Sequence, residues 1–524
     1  MLIVCAGLVI PMLFLRRRWY FIVMGVLCLF GAPIEIASLY LNHSPASTTF
    51  VGLFYATNLQ EAAGVITAIW PLALMVVVAW IAYFVISCLQ PNEWMIPRKL
   101  GLWVLGIGLP LFFIGAILYF SVYARNIYNM HEPKEVLRLA KDLTLMKFNK
   151  IYPYNIYLNS CHLAAERRTI EQSKAVLESF RFGIEQKQDT ASEVYVFVIG
   201  EAARSTHFSL NGYARPTNPR LSAHRNLVSY PHMYSQASTT EQAVPLMLSR
   251  VPVNRYKDVF AEKMLPEAFQ EAGFETVWLT NQSRIVNMRR VLGTVDKRFE
   301  SGKDMSTENN YDHLLLPMLT NTLEARGKQF IVVHTMGSHW RYDTRYPAEF
   351  EQFTPALGEA FQFSMISPDN KERLVNAYDN TILYTDYFLD SLLALVERQN
   401  RPAVVVYMSD HGENLYDDAR QLILHGNYSA SQWLFHVPLI VWFSDEYKGL
   451  HPEKIEQLHA HSDVCDNSSV LFHSLMDAAG LHYKNDTASS MTMRTRSIFS
   501  SDYCPPDTLF VLTAEERCVV FEQD

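Results

Sequence analysis

Two kinds of apolar pattern divide this chain. Near its start, residues 19–42, 65–88 and 101–123 are almost continuously apolar. Each run is long enough to cross a hydrocarbon core about 30 Å thick at about 1.5 Å per helical residue, which predicts three transmembrane helices. Residues 1–15, "MLIVCAGLVIPMLFL", are equally apolar but short for a span, and no small-residue cleavage site follows them. They read as a partial first span, with a signal peptide as the alternative.

From residue 193 the pattern changes to short apolar runs alternating with helical periods. "VYVFVIG", "FETVWL", "QFIVVHT", "AVVVYMS" and "VPLIVWF" each read as a buried strand. Their alternation with helices predicts an α/β sandwich around a largely parallel sheet. Between the two regions, residues 124–192 hold "EPKEVLRLAKDLTLMKF" and "AERRTIEQSKAVLESFRFGIEQ", helical in period and rich in charge. These read as an amphipathic connection at a membrane surface. The organisation expected is therefore 1–123 in the membrane, 124–192 as linker and 193–524 as a catalytic domain.

The net charge of -8 carries no basic patch that would suggest nucleic acid. Its distribution matters more. Arg16, Arg17 and Arg18 form one basic cluster and Arg98 and Lys99 another, separated by two spans, so both fit the cytoplasmic side. The loop 43–64 and everything after Tyr123 then lie outside the cytoplasm, in the periplasm if the source is a bacterium. Cys161, Cys465, Cys504 and Cys518 would face that oxidising side, where four cysteines allow three pairings. No Cys/His zinc-finger spacing occurs. Glu35 lies inside the 19–42 run near its outer end, either at the interface or functional.

Several predicted strands run straight into polar residues. Glu201 follows "VYVFVIG", His334 and His339 accompany "QFIVVHT", and Asp410-His411-Gly412-Glu413 follows "AVVVYMS". Ligands of open α/β sheets gather at such carboxyl ends. Carboxylate with imidazole is an oxygen and nitrogen donor mixture that suits Zn²⁺. Each acid alone is as readily a turn cap. In "SQASTTEQAVPLMLSR", Ser238, Thr239 and Thr240 precede a short helical segment, where a hydroxyl is either an ordinary N-cap or a nucleophile placed where free amides favour a phosphate.

At this point four blocks, "GEAARSTHFSLNGYARPTNP", "STTEQAVP", "HTMGSHW" and "SDHGENLYDDARQLILHG", together resemble the signature blocks of the bacterial phosphoethanolamine transferases. That family includes the mobile colistin-resistance enzymes, which confer polymyxin resistance, and belongs to the alkaline phosphatase and sulfatase superfamily. The resemblance is dense over residues 194–445. It implies a zinc-binding set of Glu201, Thr240, Asp410 and His411, with Thr240 as the nucleophile because it stands five residues before Pro245. It also implies that His339 and His425 line the substrate side and can bind a second zinc. Phosphatidylethanolamine would be the donor, lipid A or lipopolysaccharide core the acceptor, and Thr240 the carrier of a phosphoethanolamine intermediate. A multi-pass monomer of the inner membrane with a periplasmic catalytic domain is expected.

In the loop between spans, Thr57 and Glu61 match polar positions of the family. Leu53 stands where the family has asparagine, and a family lysine after "WLTNQS" has no match. The family usually has five spans, and counting back from this loop makes 19–42 the third, so the natural reading frame is expected to start upstream of Met1. Three alternatives stay open on sequence. A glycerophosphate transferase also uses a zinc-activated threonine. A sulfatase hydrolase needs a C/S-x-P-x-R setting that "TTEQAVP" lacks. A non-catalytic envelope-binding protein would not need every metal and nucleophile position filled.

Overall fold

A computed structural model divides the chain into two compact units, Met1–Gln172 and Ser173–Asp524. It describes residues 15–42, 70–94, 152–161 and scattered positions between them in the first unit. In the second it describes 177–186, 192–282, 295–301, 310–358, 367–425, 431–484, 487–512 and 518–521.

In the first unit, helix α1 (Arg17–Asn42) and helix α2 (Trp70–Leu89) cover the first two predicted spans. Among the described residues, Arg17–Ile36 is long and apolar enough to cross a membrane, with mean hydropathy 1.8, and Val77–Leu89 is a shorter apolar helix. The two helices pack antiparallel. Arg17 N donates to Glu93 O and Arg18 Nε to Gln90 O, while Tyr83 Oη donates to Phe21 O. The start of α1 therefore meets the end of α2, which places the first basic cluster beside the segment that leads to Arg98. Glu35 is buried, and its Oε2 accepts from Ala46 N at 3.0 Å and from Asn155 Nδ2 at 2.6 Å. In this unit it ties α1 to the two segments that follow. Thr57, Glu61 and Leu53 lie outside the described residues, as does nearly half of 101–123.

The second unit is built on an eight-stranded sheet. Its strands are β1 (Glu193–Gly200), β2 (Leu227–Tyr234), β3 (Glu275–Thr280), β4 (Lys297–Glu300), β5 (Lys328–His334), β6 (Ala403–Ser409), β7 (His436–Phe443) and β8 (Asp466–Asn467). Their order is β8-β2-β7-β6-β1-β5-β3-β4, and every strand but β7 runs the same way. All five predicted strands are present. "VPLIVWF" becomes the opposed strand β7, so the sheet is mixed; β2, β4 and β8 lack the continuous apolar run that marks the others.

β1 shows why such a run is needed. Tyr195, Phe197 and Ile199 point into one core, and Val194, Val196 and Val198 into the other. Both faces are covered, so no position alternates to solvent. Helix α3 (Thr240–Met247) contributes Ala243, Val244, Leu246 and Met247 to the first core. Helix α4 (Lys371–Glu397) covers the other face with Tyr378, Ile382, Phe388 and Leu392. Each fully buried large apolar side chain contributes about 1.5–3 kcal/mol. The end of the charged stretch 124–192 joins this unit, because Ile184–Gln186 pairs antiparallel with Leu481–Tyr483. Glu271 accepts from the backbone amides of Phe182, Gly183 and Ile184 just before it.

Candidate metal centre

Because β1, β2, β3, β5 and β6 run parallel, the residues that leave their carboxyl ends emerge along one edge. The pairing to β1 continues one residue past β6 and β5, where Asp410 N donates to Gly200 O at 3.1 Å and Thr335 N to Ile199 O at 3.0 Å. Ser338 N reaches Glu201 O at 2.9 Å. That close approach requires glycine next door. At Gly337, with φ +46°, a Cβ would stand 2.8 Å from Glu201 O. Ala202 also has positive φ, 55°, a left-handed conformation that costs an L residue roughly 1–2 kcal/mol. It is held there because its N–H donates to Asp410 Oδ1 and its carbonyl accepts from Tyr378 Oη, which in turn accepts from Arg204 N.

Four groups meet at this edge. Thr240 Oγ1 donates to Glu201 Oε2 at 3.1 Å and lies 3.2 Å from His411 Nε2. Nε2 is also 3.4 Å from Glu201 Oε1 and 3.5 Å from Asp410 Oδ2. All four side chains are buried. Thr240 is the first residue of α3, while Thr239, at the N-cap, makes no side-chain capping bond. The hydroxyl in the cluster is thus that of Thr240.

The donor set fits a cation. His411 Nδ1 lies 2.8 Å from the Gly412 carbonyl, an acceptor, so Nδ1 carries the proton and Nε2 presents a lone pair. Glu201 Oε1 and Asp410 Oδ2 are buried without any hydrogen bond. Lone pairs therefore face lone pairs, which is costly unless a positive ion stands between them. The same strain appears in their acidity. Burial, with the Asp410 charge beside it, pushes the Glu201 carboxyl well above the carboxylate range. Burial also pushes Asp410 up to about 6, despite the two amides on its other oxygen.

His425 comes closer to this cluster than its place in the sequence suggested. Its ring centroid is 4.2 Å from that of His411, and ligand atoms of Glu201, His411 and His425 all lie within 4.8 Å of one another. Burial lowers its basicity, but Glu413, whose two oxygens stand 3.2 Å from Nδ1, together with Glu201 and Asp410 raises it to about 9. His339 follows, its ring 6.0 Å from that of His425. Its Nδ1 is taken by Trp340 O at 2.6 Å, and burial, then the His425 charge, push it down to about 3. His334 ends β5 against the Trp278 ring and is not among the clustered ligand atoms.

Sequence reasoning passed over two supporting residues and gave a third no role. Gln282 Nε2 donates to Glu201 Oε2. Asp312 accepts from Met336 N, Gly337 N and Asn281 Nδ2, which fastens the loop that carries His339. Glu413, the last acid of Asp410-His411-Gly412-Glu413, is fully buried beside His425. Gln282 was signalled only by its place just after the apolar run of β3.

The sulfatase family pattern matches residues 193–481. Phosphoethanolamine transferase EptA of Escherichia coli (strain K12) is 32% identical over 321 residues, 57% of this chain and 55% of that protein, so the chain spans about half the length of such relatives. The zinc-complexed C-terminal periplasmic domain of EptC from Escherichia coli superposes with TM-score 0.57 at 23% identity, over 65% of this chain and 94% of that one. The integral membrane protein lipooligosaccharide phosphoethanolamine transferase A from Neisseria meningitidis superposes with TM-score 0.54 at 20% identity, over 93% and 88% of the two chains. With its family pattern laid over the sheet, over the strand ends that carry Glu201, Asp410 and His411 and over the helix start that carries Thr240, the chain belongs to the sulfatase family.

Proposed function

We propose that this chain is a membrane-bound, zinc-dependent phosphoethanolamine transferase. It moves phosphoethanolamine from phosphatidylethanolamine to lipid A or lipopolysaccharide core through a phospho-Thr240 intermediate. The observation that carries the reading is the burial of Thr240 Oγ1 against Glu201 and His411 at a sheet edge, where two unbonded carboxylate oxygens face an imidazole lone pair. The similarity to EptA supports the transferred group.

Glu201, Asp410, His411 and Thr240 would hold Zn²⁺, with His425 and His339 beside it. When bound, the ion offsets negative charge on the phosphoryl oxygens and favours ionisation of the threonine. The residues themselves account for the protons. Thr240 Oγ1 forms the bond to phosphorus as its proton passes along the existing hydrogen bond to Glu201 Oε2. The bond from phosphorus to the glycerol oxygen breaks, and His425, held protonated by Glu413, supplies that oxygen with a proton, so diacylglycerol leaves. In the second half an acceptor oxygen attacks the phosphothreonine and yields its proton to His425. Thr240 then recovers its own from Glu201.

A lipid donor explains the membrane unit, since both donor and diacylglycerol stay in the bilayer. We read residues 1–123 as multi-pass in a bacterial inner membrane, 124–192 as the surface linker and 193–524 as periplasmic. The antiparallel α1 and α2 support the common side of the two basic clusters. Thr57 and Glu61 are assigned to head-group contact from the loop. Mass spectrometry of envelope lipids and glycans from cells with and without the protein tests the reading. Diacylglycerol and a phosphoethanolamine-bearing lipid A or core are expected only with the protein. A phosphoglycerol adduct in its place would identify a phosphoglycerol transferase.

A further inference from the structure

A cavity of about 180 Å³ opens just past the carboxyl end of α3, lined by Arg250, Arg255, Glu262, His473, Ser489 and Thr492 among others. The helix is roughly 12 Å long at about 1.5 Å per residue, so this cavity is separate from the cluster around Thr240 at the other end. None of its lining residues has a part in the reaction described above.

Arg250 is set rigidly in its wall. Its Nε is 2.7 Å from Glu262 Oε2, its Nη1 is 3.5 Å from Ser489 Oγ, and its guanidinium carbon lies 5.2 to 5.9 Å from the ring centroids of Phe182, Tyr483 and Phe180. Glu262 therefore spends its charge on one edge of this guanidinium. Arg255 is mostly exposed and pairs with Asp258 three residues on, an exposed contact that holds a guanidinium only weakly. His473 is 5% exposed, and its Nδ1 makes no hydrogen bond. Burial, then the charges of Arg496 and Arg250, push that imidazole down to about 3, so it serves as a neutral hydrogen-bonding group. Ser489 and Thr492 stand three residues apart on the helix Thr487–Thr495 and so share one face.

The wall thus carries two guanidinium groups, Arg250 paired with Glu262 and Arg255 held only by its exposed contact with Asp258, together with hydroxyls and a buried imidazole whose Nδ1 makes no hydrogen bond. A cavity needs only about 10–15 Å³ to hold one water, so this one is far larger than a bare ion requires. Guanidinium groups match the oxygens of phosphate in a two-pronged geometry. We propose that this cavity is a second, non-catalytic ligand site that binds a phosphoryl group, with room for the sugar-sized body that carries it. The site does not rest on the reaction at Thr240.

The test is isothermal titration of the full chain in detergent with glucose 1-phosphate, inorganic phosphate and glucose. Saturable binding of glucose 1-phosphate is expected, with none for glucose. Tighter binding of the ester than of inorganic phosphate identifies a phosphorylated sugar as the ligand, and equal binding identifies the phosphate alone; either supports the site. Arg255→Glu, a change at an exposed side chain that leaves the fold intact, is expected to weaken binding at least tenfold. Glu201→Ala is expected to leave it unchanged. Absence of saturable binding overturns the proposal, as does full binding in Arg255→Glu with loss in Glu201→Ala, which would place the phosphate at the metal centre.

Discussion

The side-chain nitrogen of Gln282 donates both to Glu201 Oε2, at 2.9 Å, and to the Thr335 carbonyl, at 2.6 Å. It thereby decides which oxygen of Glu201 faces His411. With Oε2 occupied by Gln282 and Thr240, Oε1 is left toward His411 Nε2. Such outer partners typically set metal affinity by about 10–100-fold. Gln282→Leu is expected to weaken zinc binding by about that factor, as measured by competition with a chromophoric chelator. An unchanged affinity would remove Gln282 from any role in the metal centre.

Thr240→Ala is expected to abolish transfer while the protein stays folded and retains zinc, because Glu201, Asp410 and His411 keep their geometry. Wild-type protein quenched during turnover should yield a peptide containing Thr240 that is heavier by phosphoethanolamine. Activity lost in Thr239→Ala and kept in Thr240→Ala would reverse the assignment.

Removing a ligand opens the centre. Glu201→Ala, Asp410→Ala and His411→Ala should each lower the zinc content of the purified protein, read by elemental mass spectrometry. His339→Ala and His425→Ala should slow turnover with the primary zinc retained. A fall in zinc for His425→Ala would make His425 a ligand, a role its distance to Glu201 and His411 also allows.

Tyr378 braces the turn after Glu201 through one hydroxyl that serves two backbone groups. Tyr378→Phe keeps the ring in the core and leaves Ala202 O and Arg204 N buried without that partner. A loss of about 1–3 kcal/mol is expected. Urea unfolding reads it as a lower midpoint at unchanged slope. A midpoint equal to wild type would show that the turn does not depend on the hydroxyl.

Topology is checked with reporter fusions. A fusion at residue 95 should report the cytoplasm and one at residue 190 the periplasm. The opposite pair of signals would invert the chain in the membrane and disconnect the catalytic unit from a periplasmic acceptor.

What the sequence determined by itself was the class of each element and the chemistry at its ends. Strands buried on both faces, such as β1 and β6, announce themselves because every side chain must be apolar, and the abrupt change to Glu201 or to Asp410-His411 marks where burial against the sheet ends. Strands β2 and β4 were not legible. β2 carries partly exposed positions and β4 lies at the sheet edge with all four residues exposed, so neither needs a continuous apolar run. The choice between Thr239 and Thr240 rested on family resemblance. Only the tertiary structure set one hydroxyl against Glu201, since a one-residue step at a helix start rotates a side chain by about 100°. The supporting residues were hidden for the same reason. Gln282 bonds to Glu201 across 81 positions, Tyr378 to Ala202 across 176 and Asp312 to Gly337 across 25, and hydrogen bonds over such separations come from strand order and helix packing, which no local pattern records.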